Sequence, residues 1–293
     1  MYPEKLSEII WSILASLLRR KDDSFMIYRI DQIDECNINP VTGNNYDNSW
    51  IIFKLTDSKN YRQFVGHHDG CAYTIKTSRL QHSDWKMAAG DFIDFNYRHG
   101  KNIILVMSEN ELLQVQAYYA GHSCNEPFLR ENEPAVLIHS TPMRHWVKIQ
   151  SDGMLKSWNV LHAENSITEE RPIGSLLGDP ADFSDYIMFG GGVTGEVVVR
   201  AKETGKITMD LNSPYMSGAR MYFDAKKMAE DGLLERDGCH IKVKDRLSLF
   251  SYLIWTATWD KLGISESKST PKEFSEAADN KFLQIFGSKG YSL

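Results

Sequence analysis

Apolar residues recur at two different spacings along the first part of the chain. Residues 3–20, with the apolar run 9–18, follow the spacing of one amphipathic helix. From residue 25 to about 107 the pattern changes to short apolar runs, which alternate with polar residues most clearly over 91–97. Because polar turns rather than helices separate these runs, they predict a small antiparallel barrel or sandwich. The predicted strands are 26–33, 50–56, 63–65, 72–77, 91–97 and 102–107, followed by a helix over 109–119.

The middle of the chain carries a strand that passes directly into a helix. The strand covers 135–140. Thr141 has the side chain of a helix N-cap and Pro142 suits the first turn, so a helix is predicted over 142–152. Gly153 then predicts a left-handed C-cap. The apolar face of this helix is made of Met143, Trp146, Val147 and Ile149.

The remaining elements mix strands and helices, and we predict an α+β protein. A polar linker separates an N-terminal helix and β-rich recognition or accessory domain over 1–120 from a second domain over 134–293. Thr270 and Glu273 form a capping-box pattern that starts a last helix, which ends at Phe286. The other predicted elements are strands at 186–189, 196–201, 206–211, 220–223 and 239–244, and helices at 225–230 and 246–261.

Composition and charge limit the class of protein. The chain has 293 residues, of which 42% are hydrophobic and 25% charged, and its formal net charge is −6. These values are typical of a globular protein with two domains. A protein that coats nucleic acid non-specifically carries an excess of basic residues, which this chain lacks. Local recognition of one nucleotide or of a single strand stays open.

The cysteines and the apolar runs limit the class further. The four cysteines are scattered and form no Cys-x-x-Cys pair. We therefore expect neither a structural zinc site nor a disulfide scaffold, and a reducing cytosol suits the chain. No other group of residues has the spacing of metal ligands, so no metal is expected. The run 9–18 is too short to span a bilayer, and no membrane anchoring is expected.

Two segments of the second domain carry recognisable motifs. The first is Leu-Ile-His-Ser-Thr at 137–141, followed by the helix and by Gly-Met-Leu at 153–155. The second, at 221–238, reads Met-Tyr-Phe-Asp-Ala-Lys-Lys-Met-Ala-Glu-Asp-Gly-Leu-Leu-Glu-Arg-Asp-Gly. The first is similar to the opening His-x-Thr strand of the ADP-ribosyltransferase fold superfamily. The second resembles the strand, Asp-Ala-x-Lys-Met helix and arginine-bearing stretch of its RNA 2′-phosphotransferase branch, the nearest branch.

This resemblance implies a split β-sheet domain with flanking helices and NAD as co-substrate. The phosphotransferases carry a winged-helix-like N-terminal half, whereas the N-terminal part of this chain has a β-rich pattern. We therefore expect an NAD-dependent mono-ADP-ribosyltransferase that modifies RNA or DNA, of the class of toxins and phage-defence effectors, with an antitoxin protein as a further expected partner. The alternatives are an RNA 2′-phosphotransferase that uses NAD and a non-catalytic binding module.

The resemblance also implies roles for residues of the first motif. His139 matches the histidine that hydrogen-bonds the NAD ribose next to nicotinamide, and Ser140 and Thr141 are cofactor-binding candidates beside it. Tyr186 is the candidate for the aromatic ring that stacks on nicotinamide. Arg144, in the first helical turn, is the candidate for binding the NAD pyrophosphate beside the helix N-terminus. Each of these residues also has a structural alternative, as a strand end, core residue or surface charge.

Charged residues of the second half complete the predicted site. Cleavage of the bond between nicotinamide and ribose creates positive charge on the sugar, which a carboxylate stabilises. Glu235 is the candidate for this catalytic carboxylate, and Glu196 is the alternative candidate. Arg236 falls where the phosphotransferases grip phosphate, and Arg220 is a further phosphate or acceptor candidate. A basic patch that suits a nucleic-acid backbone comprises Arg236, His240, Lys242, Lys244 and Arg246.

Overall fold

The protein was analysed as a computed structural model, which describes residues 26–32, 37–59, 62–66, 70–167, 169–208, 210–291 and 293. The helix predicted over 3–20 lies outside these residues. The described chain is α+β, as predicted, with helices and several small sheets. It forms two compact units. No helix within the described residues has the length and apolar character needed to cross a membrane.

Unit 1 comprises the described residues up to Cys124 together with Leu177–Ala181 and Arg236–Cys239. Its sheet has the strand order β1-β5-β2-β4-β3, in which only β3 runs antiparallel to its neighbour. The antiparallel barrel or sandwich predicted for this region is therefore wrong, because helix α1 connects the parallel strands β4 and β5 as a crossover. The elements are β1 (Ile27–Ile30), β2 (Trp50–Thr56), β3 (Arg62–Val65), β4 (Tyr73–Ser78), α1 (Trp85–Arg98), β5 (Asn102–Val106) and α2 (Glu109–Tyr119).

The strand predicted over 91–97 lies inside helix α1. Its alternation of apolar and polar residues predicted a half-exposed strand, but Asp91 and Asp94 are both buried. Asp94 accepts hydrogen bonds from the Cys124 backbone at 2.8 Å and from Arg98 at 2.7 Å, and Asp91 accepts one from the Tyr119 hydroxyl at 2.9 Å. Tertiary partners therefore allow polar residues on a buried helix face, and the alternation does not report a strand.

Unit 2 comprises Asn125–Leu176, Asp182–Glu235 and His240–Leu293. Its strands form three small sheets with the orders β13-β9-β6, β10-β11-β8 and β12-β7. The strands are β6 (Val136–Thr141), β7 (Met154–Lys156), β8 (Tyr186–Met188), β9 (Ala219–Asp224), β10 (Leu234–Arg236), β11 (Ile241–Lys244), β12 (Arg246–Ser248) and β13 (Leu253–Ala257). The helices are α3 (Met143–Asp152), α4 (Trp158–Ala163), α5 (Thr194–Thr204), α6 (Ala225–Glu230), α7 (Leu249–Tyr252), α8 (Trp259–Leu262) and α9 (Pro271–Phe286).

Both faces of the β13-β9-β6 sheet are covered. On one face, Leu137 and Met221 join a buried cluster that also contains Ile187 of β8 and Val243 of β11. On the other face, the sheet packs against helix α9, whose buried residues include Phe282. Alternate residues of β6 therefore belong to different cores.

Three predictions for unit 2 are wrong. Residues 196–201 lie in helix α5 rather than in a strand. Glu196 and Arg200 are both buried, and in this helix their spacing of four residues places them on the same face. The described residues of 206–211 form no strand. The helix predicted over 246–261 is instead β12, α7, β13 and α8, because β13 pairs with β9 along the sheet edge.

A buried ionic network joins four elements of unit 2. Arg220 of β9 has no exposed surface, and its guanidinium donates to both carboxylate oxygens of Asp279 on α9, at 2.9 and 3.0 Å. It also contacts Glu196 of α5 at 3.3 Å. Glu196 accepts hydrogen bonds from Ser140 of β6 and from Tyr215, each at 2.6 Å. The buried charges are thus paired and hydrogen-bonded, as burial requires.

We predict that Arg220→Ala lowers the free energy of unfolding by about 3–5 kcal/mol, because it leaves buried carboxylates without a partner. Arg246→Ala is the matched control, since Arg246 is exposed and water screens its ion pair with Glu164, so that loss of this pair should change the stability little. Urea denaturation of the two variants and the wild type measures the difference. Equal losses in both variants would show that the network does not stabilise the fold.

A second prediction concerns the contact between α1 and α2. A Cβ added to Gly90 would come within 2.1 Å of the Tyr119 ring. Gly90→Ala should therefore destabilise the protein by about 1–3 kcal/mol through overpacking, although helix propensity alone favours alanine by about 1 kcal/mol. Gly191→Ala, at a position with open space around it, serves as the control. A stabilised Gly90→Ala variant in thermal unfolding would contradict this packing.

Candidate functional site

His139 lies near the carboxyl end of β6, where that strand meets β8. In the pairing of β6 with β9 it stands opposite Met221, on the face of the core shared with β8. Its Nδ1 is 2.8 Å from the Met188 carbonyl oxygen at the end of β8. One residue before it, the Ile138 carbonyl accepts a hydrogen bond from the Gly190 backbone N–H at 2.9 Å. These two contacts fix the ring between the sheet of β6 and the sheet of β8.

The Met188 contact determines which nitrogen of His139 carries the proton. A carbonyl oxygen only accepts, so Nδ1 must donate, and in the neutral ring Nε2 is then an acceptor. Within the described residues, Nε2 has no hydrogen-bond partner. Burial, together with the nearby positive charge of Lys202, lowers the pKa of His139 to about 4. The ring is therefore neutral near pH 7 and offers an unused acceptor.

The neighbours of His139 on the strand have different surroundings. Ser140 is on the opposite face of β6 and donates to Glu196 in the buried network. Thr141 shares the face of His139 but is also buried. The predicted N-cap is wrong, since β6 extends through Thr141 and Pro142 takes the cap position without a side-chain hydrogen bond. Gly153 does end α3 in the left-handed conformation, at φ 65°.

Helix α3 presents a polar group beside this strand end. Arg144 is partly exposed, pairs with Glu203 and donates to the Lys202 carbonyl oxygen at 3.3 Å. His145 lies 3.4 Å from the carboxylate of Glu169. Burial lowers the pKa of Lys202, and the charge of Arg144 adds to this effect. Val147, predicted on the apolar face of the helix, is instead 64% exposed.

Tyr186 and Glu235 form the second group of predicted residues. The Tyr186 hydroxyl donates to Glu235 at 3.1 Å. The residue is buried, and burial together with the carboxylate of Glu235 raises the pKa of the phenol, so it stays protonated. The ammonium of Lys242 lies 4.6 Å from the centre of the Tyr186 ring and 4.3 Å from that of Phe183. One aromatic face of Tyr186 is thus in contact with a buried cation.

Both predicted phosphate-binding arginines are buried. Arg220 has no exposed surface and belongs to the network with Glu196 and Asp279, so we remove it from the cofactor-binding residues. Arg236 is 2% exposed, and its backbone N–H donates to the Cys124 carbonyl oxygen. The predicted basic patch is divided by burial in the same way. Of its members, Arg236 and Lys242 are buried, whereas Lys244 and Arg246 are exposed.

Strand β8 connects the two groups. Its last residue, Met188, contacts His139, and its first residue, Tyr186, contacts Glu235. Sequence reasoning missed the Met188 carbonyl, because a backbone acceptor leaves no mark on residue identity. It also missed Lys202, which only the packing of α5 against β6 brings near His139. The sequence showed the alternation of residues in β11, but it did not show that Lys242 in this strand is buried.

The polar groups of this region are a hydrogen-bond acceptor on His139 and the charged side chains of helix α3 and its partners. No group of three or more histidine, cysteine or acidic side chains suited to a metal ion occurs within the described ranges. The unused acceptor at Nε2 is able to accept a hydrogen bond, and Arg144 and His145 at the start of α3 add polar and charged groups. Comparisons with models of protein families, with curated proteins and with solved structures find no match for this chain.

The pKa of His139 predicts a pH dependence of stability. The folded protein keeps the ring neutral down to about pH 4, while the unfolded chain takes up a proton near pH 6.5. The unfolded state then binds more protons, so lowering the pH from about 6.5 to 4 costs roughly 3 kcal/mol. The variant His139→Asn has no titrating group at this position, so it should not show this loss of stability.

Urea denaturation of wild type and His139→Asn at pH 7.5, 6 and 5 tests this expectation. The difference in stability between the two proteins should shift in favour of the variant as the pH falls. A constant difference over this range would mean that the ring titrates normally.

Proposed function

We propose that this chain is an NAD-dependent mono-ADP-ribosyltransferase that modifies a nucleic acid. The observation that supports this proposal best is the neutral, oriented imidazole of His139. Its free Nε2 suits a ribose hydroxyl, which donates a hydrogen bond. The motifs at 137–141 and 221–238, through their resemblance to the ADP-ribosyltransferase superfamily, favour NAD as the source of that ribose. The finer architecture, a split sheet of this superfamily type, is part of the same proposal.

In this proposal, His139 holds the sugar, and Arg144 reaches the pyrophosphate near the start of α3. The reaction breaks the bond between nicotinamide and the anomeric carbon, and nicotinamide leaves as a neutral base. Glu235 stabilises the positive charge that develops on the sugar. The hydrogen bond from Tyr186, at 3.1 Å, orients this carboxylate. A nucleophile of the acceptor then bonds to the anomeric carbon and gives up its proton.

The acceptor proposed is RNA or DNA, and the cellular role proposed is that of a toxin or phage-defence effector with an antitoxin protein as partner. Both rest on the resemblance. We rank the RNA 2′-phosphotransferase second, because Arg236, which would grip the phosphate, is only 2% exposed. A non-catalytic binding module would use the same His139 acceptor without Glu235. Cytoplasmic location follows from the proposed acceptor and belongs to the proposal.

We expect the purified chain to bind NAD in isothermal titration calorimetry and His139→Ala to weaken binding by about tenfold or more, because a ribose hydroxyl loses its acceptor. His162→Ala is the matched control, since His162 is exposed on α4. With labelled NAD, the wild type should label nucleic acid and release nicotinamide. Glu235→Gln should keep NAD binding and lose transfer.

The outcomes separate the candidates. Absence of NAD binding by the wild type would refute the proposal as a whole. NAD binding with removal of an internal 2′-phosphate from RNA would favour the phosphotransferase. NAD binding without nicotinamide release on any RNA or DNA would favour the binding module.

A further inference from the structure

Lys202, in the last turn of α5, has a side-chain amine without a close partner. Within the residues that the structure describes, this amine makes no hydrogen bond and no ion pair. The residue is partly buried, and burial lowers its pKa although the negative charge of Glu169 acts in the opposite direction. An amine in this state gains more from a bound anion than a fully exposed lysine does.

The position of Lys202 on α5 follows from the face of this helix that packs against β6. Gly195 begins this face, since a Cβ added there would come within 2.7 Å of the Ser140 Oγ. Val199, one turn later, has no exposed surface. Lys202 follows at the next turn, because residues three or four positions apart share a helix face. The side chain of Lys202 therefore continues the stripe along β6, and its charge acts on His139.

A contact with α3 brings the start of that helix to the same point. The Arg144 guanidinium donates to the Lys202 carbonyl oxygen at 3.3 Å and pairs with Glu203. Lys202 thus lies near the two residues that the proposed function assigns to the sugar and to the pyrophosphate. It influences the first, His139, through its charge, and it accepts a hydrogen bond from the second, Arg144.

The carboxylates of this group of residues are bound to other side chains. Glu203 pairs with Arg144, and Glu169 lies 3.4 Å from His145 and 3.9 Å from Arg144. Neither carboxylate comes within ion-pair distance of Lys202 in the described part of the chain. The side chains of Arg144 and Glu169 are 45% and 41% exposed, so this group of residues opens to water. A dissolved anion can therefore reach it, and water screens the pairs that the anion would replace.

We propose that Lys202 binds the phosphate groups of the nucleotide whose sugar is held by His139, an inference that rests on the proposed function. An ammonium group donates charge-assisted hydrogen bonds to phosphate oxygens. The pyrophosphate then neutralises an amine that no carboxylate meets at hydrogen-bond distance. Lys202 also determines specificity, because a nucleoside offers His139 the same hydroxyls but offers Lys202 no anion.

Isothermal titration calorimetry with NAD and with nicotinamide riboside, which lacks the phosphates, tests this inference. We expect Lys202→Met to weaken NAD binding about 10- to 100-fold, because hydrogen bonds between charged groups are lost. The same variant should bind the riboside like the wild type, whereas His139→Ala should weaken the binding of both ligands. Lys206→Met is the matched control, since Lys206 is exposed beyond the end of α5, and it should bind both ligands like the wild type.

Thermal unfolding separates loss of binding from loss of the fold. Lys202→Met should be at least as stable as the wild type, because it removes a partly buried amine without a hydrogen-bond partner. A destabilised Lys202→Met variant that loses affinity for NAD and for the riboside alike would show a structural role and would overturn the inference.

The remaining outcomes distinguish this inference from the proposed function. Equal NAD affinity of Lys202→Met and the wild type would overturn the inference and leave the proposed function intact. Absence of NAD binding by the wild type would refute the proposed function, and titration with inorganic pyrophosphate would then decide the role of Lys202. Pyrophosphate binding that Lys202→Met weakens would support a phosphate-binding residue, whereas equal or absent binding would overturn it.

Discussion

The pairing of Arg220 is the constraint on which the rest of unit 2 depends. A guanidinium without exposed surface must meet carboxylates, and here Asp279 comes from α9 and Glu196 from α5. Glu196 in turn accepts from Ser140, which stands directly opposite Arg220 in the pairing of β6 with β9. A slip of one residue in this register would exchange the two faces of β6. The network therefore also determines the face on which His139 lies.

The chemistry of His139 follows from that placement. Its face of β6 is covered by β8, so the ring loses water and its pKa falls to about 4. The same strand supplies the Met188 carbonyl, which sets the tautomer. Burial is the larger cause of the low pKa, and the positive charge of Lys202 adds to it. A histidine made neutral in this way is a hydrogen-bond acceptor rather than an acid near pH 7, and the proposed contact with a ribose hydroxyl rests on this property.

Features that depend on local sequence were predicted from it. The capping box of Thr270 and Glu273 is present at the start of α9, and Gly153 ends α3 in the left-handed conformation. Both signals act within one helical turn, so residue identity determines them. The sequence likewise indicated that His139 lies near a strand end.

Features that depend on distant partners were not predictable in this way. The local pattern of 91–97 suggested a strand with a polar, exposed side. The residues that satisfy its aspartates, Tyr119 and Cys124, come later in the chain, so the local pattern did not show that this side is buried. The strand β13 was hidden inside a predicted helix, since only its pairing with β9 favours an extended conformation. The prediction that Arg220 binds the cofactor failed for the same reason, because a sequence shows the charge of a residue but not its burial. Pairing and burial are tertiary properties, and these errors arise where they override a local pattern.

Three buried cations of unit 2 show how differently the fold compensates charge. Arg220 meets carboxylates, and Lys242 lies over the faces of Phe183 and Tyr186 as part of its surroundings. Arg200 donates to a backbone carbonyl oxygen, that of Thr208, and interacts with the exposed carboxylate of Asp210 through its charge. Carboxylates neutralise a charge, and aromatic faces attract it by about 2 kcal/mol when water is excluded, whereas one carbonyl dipole does neither to the same extent. Arg220 is therefore the best compensated of the three charges at hydrogen-bond distance, which agrees with its position at the centre of the ionic network that joins β6, β9, α5 and α9.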